Sequence, residues 1–311
     1  MYYEFAGNNG DNEQFQAAAM ISLVPAESKR LIARAVVALP EIQAAKKKGR
    51  IYVRVGTTNA FIAEELLGIK FNKAEYTSGI ITSGELATNN SDKKIGGLLL
   101  INGEPTELGS ADPIADFDAG DVLIKGANAI DPEGNAGVLI GSEVGIGSNQ
   151  AVFTLRGFHL IVPVGLEKLV ASVPQIANRV PGILRTKYCT GMPVAFFPII
   201  NGKVLTEIQA LRVLCGVSAY HMASGGVGGS EGSVVLSALG SELQIENMMN
   251  LIKSIKDEPQ VPAPSKMKPL AKELNYNVSE YCEKLSPGRG PIPGISFLKI
   301  LNSLESRVKT D

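Results

Sequence analysis

The sequence predicts an α/β fold: a mostly parallel sheet with helices on both faces, a small α+β layer after it, and a C-terminal extension. Three observations carry that expectation. Short aliphatic runs alternate along the chain with segments of helical periodicity, the order that builds parallel sheets. The strand-like run 51–55 passes at once into Gly56-Thr57-Thr58-Asn59 and then into a helical run, 60–67. Glycine supplies 33 of 311 residues while aromatics make up 6% and tryptophan is absent, which suits tight turns and close aliphatic packing.

Residues 1–25 read as a weakly structured lead-in. A first α/β unit, 26–186, opens with a helix over 26–45, where Leu31, Ile32, Ala35, Val36 and Leu39 recur at three- and four-residue steps. Strands follow at 51–55, 98–102, 121–124 and 158–164, with a Ser/Thr/Gly-rich stretch at 76–85 and a glycine-rich loop over 126–150. Residues 166–173 read as a short helix. A second unit, 187–256, runs strand 192–199, helix 206–215, strands 217–222 and 232–239, and helix 246–255. That β-α-β-β-α order is expected of a small ferredoxin-like layer. From 257 to 311 the chain is Pro- and Lys-rich, a linker ending in a short amphipathic helix over 295–308.

Composition excludes several classes. Thirty basic and 31 acidic residues leave a net charge of −1, which argues against a nucleic-acid-binding surface. With 45% hydrophobic and 20% charged residues the chain can fill a sizeable core. The three cysteines, Cys189, Cys215 and Cys282, have no C-x-x-C spacing, and the two histidines, His159 and His221, have no partner at ligand spacing. No metal site is expected. The N-terminal stretch lacks a basic region followed by an apolar one, and no apolar run approaches the ~18 residues of a membrane span. A cytoplasmic protein without membrane contact is the expectation.

At Gly56-Thr57-Thr58-Asn59 the free N–H groups of a helix's first turn favour an anion, and the two threonines add hydroxyls. Equally, Thr58 or Asn59 caps the helix and does nothing more. Glu143, in the glycine-rich 141–148 loop, reads either as a nucleophile or general base, or as a solvated loop carboxylate. Asp131, before Pro132 and Gly134, reads as a turn former, or as an acceptor for a sugar hydroxyl. The Ser224–Gly232 glycine run lacks the Gly-Lys-Ser/Thr ending of a phosphate loop and reads as a hairpin turn.

Residues 50–59 (RIYVRVGTTN), 121–132 (DVLIKGANAIDP) and 159–170 (HLIVPVGLEKLV), in that order, resemble the ribose-5-phosphate isomerase A family. More loosely they resemble the wider superfamily of its fold, which includes DeoR-type sugar-sensing domains, CoA transferases and formyltetrahydrofolate cyclo-ligases. The resemblance spans roughly residues 26–256 and implies a Rossmann-like sheet with a ferredoxin-like second domain. It places Gly56, Thr57, Thr58 and Asn59 on the family's phosphate turn and Lys168 on its phosphate-proximal lysine. The family's two loop aspartates fall on Lys125 and Asn128, and an amide cannot serve as the base of aldose–ketose isomerisation. The family's following Lys-Gly segment reads AGVLIG here, at 136–141, without a lysine. The resemblance therefore implies the binding site without the isomerase reaction.

The expected function is a small-molecule enzyme acting on a phosphorylated or CoA-linked metabolite. Glu143, Asp131 and Asn128 are the candidate catalytic positions, and Gly56, Thr57, Thr58, Asn59, Lys125 and Lys168 the anion-binding ones. No resident cofactor is expected, coenzyme A being the one the resemblance admits. The partner is a small anionic metabolite, and the resemblance implies a homo-oligomer. The competing readings are a non-catalytic ligand-binding or regulatory protein, and a subunit of a larger complex.

Overall fold

The computed structural model describes residues 1–4, 15–109, 112–141, 146–267 and 296–297. β1 (Ala17–Leu23) leads into α1 (Pro25–Ala38), α2 (Pro40–Lys47), β2 (Arg50–Val53) and α3 (Thr57–Leu67). Two hairpins follow: β3 (Gly79–Thr82) with β4 (Glu85–Thr88), then β5 (Leu98–Ile101) with β6 (Glu104–Thr106). Next come β7 (Val122–Ile124), β8 (Ala129–Ile130), β9 (Ala136–Ile140), α4 (Ile146–Arg156), β10 (His159–Pro163) and α5 (Val173–Arg179). The last described elements are β11 (Ala195–Ile199), β12 (Lys203–Leu205), α6 (Glu207–Cys215), β13 (Ser218–Gly225), β14 (Ser233–Gly240) and α7 (Glu242–Ile255).

The fold is α/β. Its central sheet has six strands in the order β12-β10-β7-β2-β5-β6. The first four are parallel, and β5 and β6 complete the sheet antiparallel. Both faces are buried, which is why its strands are almost uniformly apolar. Ile51, Val53, Val122, Ile124, Ile161 and Leu205 face a core shared with α1, α3 and α6. The alternate residues Tyr52, Leu123, Leu160, Val162 and Val204 face a second core, closed by Phe153 of α4, Ile114 and Phe117.

The expected helix over 26–45 is two helices. Leu39 is extended (φ −62°, ψ 139°) because Pro40 disfavours the helical conformation in the residue before it, and Pro40 then starts α2. The lead-in contains β1, which pairs antiparallel with β14 from Ala17↔Gly240 to Leu23↔Val234. The expected β-α-β-β-α layer is not a single sheet: β11 pairs with β9, β12 joins the central sheet, and only β13 and β14 stay together, with β1 as their third strand. Sequence order does not choose a strand's partner. Here β11 follows the bare backbone of Gly137, where a Cβ would run into the Phe196 ring. The apolar faces of β1, β14, α6 and α7 belong to the same core as α1 and α3.

The Pro-rich stretch expected as a linker lies against this body as far as Met267. Glu258 pairs with Arg30, the Ser265 amide donates to Glu75 (3.2 Å), and the Asn90 amide donates to the carbonyl of Lys266 (3.0 Å). The helix expected over 295–308 lies outside the described residues except for 296–297; there, Phe297 is buried edge-on against Phe71 and Tyr76. No helix among the described residues is long and apolar enough to cross a membrane.

Candidate functional site

A cleft of about 330 Å³ opens at the C-terminal ends of β2, β7 and β10. The topology puts it there. β2 and β7 are parallel neighbours whose connections leave to opposite faces, α3 after β2 packing on one core and α4 after β7 on the other, and such crevices are where open α/β sheets bind ligands.

Its floor is the turn from β2 into α3. Gly56 sits before the helix at φ 155°, ψ 156°, a backbone conformation essentially reserved for glycine, and its amide donates to the carbonyl of Tyr76 (2.8 Å). No side chain caps α3, so the first-turn amides of Thr57, Thr58 and Asn59 face the cleft without a side-chain partner. Asn59 is fully buried and acts differently. Its Nδ2 donates to the carbonyl of Arg54 (2.7 Å) and, more weakly, to that of Ile124 (3.4 Å). Of the four turn residues, Asn59 thus contributes through its backbone and by fixing the turn.

Three cations stand around this turn, each just beyond one of three adjacent parallel strands. Arg54 follows β2, Lys125 follows β7, and Lys168 follows β10 across a short 3-10 turn. Arg54 is 5% exposed; its Nη1 has no hydrogen-bond partner and lies 3.8 Å from the Asp112 carboxylate. The Lys125 ammonium donates to the carbonyl of Gly126 (2.9 Å) and that of Lys168 to the carbonyl of Ala127 (3.0 Å). Burial, reinforced by the charges of Arg54 and Lys168, brings Lys125 down to about 7. Burial and the charge of Lys29 bring Lys168 to about 8, against the opposing pull of Glu167 and Glu207. No carboxylate lines the cleft among the described residues.

One wall is apolar. The β3–β4 hairpin brings Ile80, Ile81 and Leu86, β9 brings Val138 and Ile140, and Met192 completes it. The hairpin is fastened by backbone bonds from the Leu86 amide to the Thr190 carbonyl (3.3 Å) and from the Met192 amide to the Leu86 carbonyl (2.8 Å). Gly191, at φ 82°, lets the two chains meet, since any Cβ there would strike the Leu86 carbonyl.

The cleft thus brings together Gly56, Thr57, Thr58, Asn59, Lys125, Asn128 and Lys168. Asn128 is exposed there, its Oδ1 accepting from the Leu139 amide (3.1 Å). Asp131 does not line it. Its buried carboxylate accepts from the amides of Glu133 (3.2 Å), Asn135 (2.9 Å) and Val173 (3.0 Å) and from the Asn135 side chain (3.0 Å). Burial alone would raise its pKa, but these bonds hold it below the usual carboxylate range. With its acceptor sites occupied, Asp131 is the turn former and takes no part in the cleft. Glu143 lies outside the described residues, two positions beyond Gly141 of the cleft rim.

Arg54 is the residue that sequence reasoning missed. A single arginine in a β-branched run looks like the solvent-facing half of an alternation. Its position immediately after β2 and before the Gly-Thr turn was the available signal. Among the described residues no group of three or more His, Cys, Asp or Glu could hold a metal ion.

No family model, curated protein or solved structure matches the chain.

Proposed function

We propose that the protein binds a small phosphorylated metabolite in this cleft, with the phosphate on the first-turn amides of α3 and among Arg54, Lys125 and Lys168. One observation carries the reading: three cations and an uncapped helix N-terminus converge on a cleft that no carboxylate lines among the described residues. The buried Arg54 Nη1, without a hydrogen-bond partner, is the donor an anion would satisfy. The volume is near the lower end for ligand sites and suits a sugar phosphate; a CoA thioester would extend beyond it. The order of the three segments that resemble the isomerase family supports a Rossmann-like reading of the sheet, and the glycine-rich loop 126–148 beyond a parallel strand supports an enzyme. A non-catalytic binder is the second reading, favoured by the structural use of Asp131 and by the amide at Asn128.

Association into a homo-oligomer belongs to the same proposal. Met20 and Tyr220 flank Ser237 on one face of the β1–β14–β13 sheet and are 74% and 55% exposed.

Thermal-shift titration with inorganic phosphate, sugar phosphates and CoA thioesters tests the site. A phosphate-bearing ligand is expected to raise the melting midpoint by mass action, and Arg54→Met to weaken that response at least about tenfold in apparent Kd. Silence across all three panels removes the reading. Turnover assays on the ligand that binds then separate enzyme from binder.

A further inference from the structure

We propose that Lys125 is a carbonyl-directed nucleophile: its ε-amine condenses with the aldehyde or ketone of the anionic compound held in the cleft. The proposal rests on the anion-site reading above and names the substrate class as an anionic oxo-compound, a phosphorylated aldehyde or ketone first.

The position is the first argument. Lys125 lines the crevice, one residue beyond β7, between the cations of β2 and β10. Among the described residues its Nζ is held only by the neighbouring Gly126 carbonyl, and no carboxylate stands within ion-pair distance. Lys168 differs on this point, since Glu167 and Glu207 favour its charged form. A lysine attacks only as the free amine. Desolvation and two cationic neighbours produce that amine at neutral pH, as they do for lysines that form Schiff bases. At the Lys125 value of about 7, half of the population is free amine near neutrality, against roughly 0.03% for an ordinary lysine.

The step balances without a redox partner. The amine lone pair forms the C–N bond while the carbonyl π pair moves to oxygen, which takes a proton to give a carbinolamine. The hydroxyl then leaves as water, with a second proton taken from the Lys168 ammonium or from solvent, and nitrogen sheds one of its own. The product is a protonated imine. It restores a positive charge at position 125 opposite the bound anion, so anion binding favours it over the free amine. The half-buried Ile80 and Leu86 line the carbon side with apolar surface.

Pyridoxal 5′-phosphate, a phosphorylated aldehyde, is a direct probe. The full chain is incubated with it between about pH 5 and pH 10, reduced with borohydride, and mapped by peptide mass spectrometry, with and without inorganic phosphate. Lys125 is expected to carry the label, at pH 7 by at least about tenfold over any other lysine, with a half-maximum near pH 7 and suppression by phosphate. Lys125→Met should lose that label while its circular dichroism stays that of the wild type. An unlabelled Lys125 in a protein that phosphate stabilises overturns the imine and leaves the anion site standing. A half-maximum above about pH 9 does the same. Labelling that phosphate neither reduces nor accompanies with a thermal shift overturns both.

Discussion

The side chain of Asn59 reaches back from the first turn of α3 to the carbonyl of Arg54, 2.7 Å away, closing the turn on itself. The same amide touches the carbonyl of Ile124, so it also gathers the ends of β2 and β7. Asn59→Ala would leave both carbonyls buried without this donor. A loss of about 1–3 kcal/mol is expected in urea unfolding. Phosphate affinity should fall with it, because the same turn aims the α3 amides.

Gly56→Ala tests the backbone alone. A Cβ there has room, its nearest neighbour being Nδ2 of the Asn59 side chain at 3.9 Å, so sterics do not oppose it. The cost comes from φ 155°, and about 1–3 kcal/mol of stability should disappear together with the thermal response to phosphate. A stable variant with normal binding would separate this glycine from the anion turn.

The lysines set a pH dependence. Lys125 and Lys168 stand at about 7 and about 8 in the folded protein, against 10.5 ordinarily, so the unfolded chain binds more protons between those values. Their penalty is complete below about pH 7 and fades as pH rises toward 10.5, so they make stability rise with pH across that window. In buffers free of phosphate and sulfate, Lys125→Met should therefore be more stable than the wild type at pH 6, and the difference should close by about pH 10. A difference independent of pH would refute the assignment. Sulfate, which keeps its charge throughout, should bind more weakly above pH 8 than at pH 6 as the two lysines lose their protons.

Arg30 is a structural counterpart to these cleft cations. Its buried guanidinium pairs with Glu64, with Glu65 (2.8 Å) and with Glu258 (2.9 Å), and lies over the Phe61 ring at 4.8 Å. Arg30→Met would leave the buried Glu64 dependent on Lys70, Lys73 and the Phe71 amide. A loss of about 3–5 kcal/mol is expected, with faster proteolysis in the 257–267 segment that Glu258 anchors. Unchanged protease sensitivity there would show that the segment is held by its other contacts.

The sequence exposed what local chemistry determines. The β-branched run before Gly56 and the helical run after it become β2 and α3, and the Asp-Pro-x-Gly signal at 131–134 becomes the turn that saturates Asp131. It hid what depends on distant partners. Ala17–Leu23, poor in β-branched residues, becomes a strand only because β14 lies beside it. Arg54 is buried by the meeting of three strand ends that no local pattern announces. Lys125 entered through the resemblance, as an aspartate's replacement; its depressed proton affinity comes from burial and from Arg54 and Lys168, 71 residues before it and 43 after it.

The pairing of β1 with β14 also has a cost in time. Roughly 200 residues separate the two strands, and a ribosome needs roughly 10–40 s to make them. Throughout that interval β1 has emerged and its partner among the described strands, β14, has not been synthesised. Long-range pairing of this kind slows folding, and an orphaned edge invites strands from other nascent chains. The alternating Met20, Ile21, Ser22 and Leu23 therefore make early synthesis the stage at which this chain most needs chaperone cover. Chains that stall before Ser233 would lack β14, the strand that joins β1 to β13.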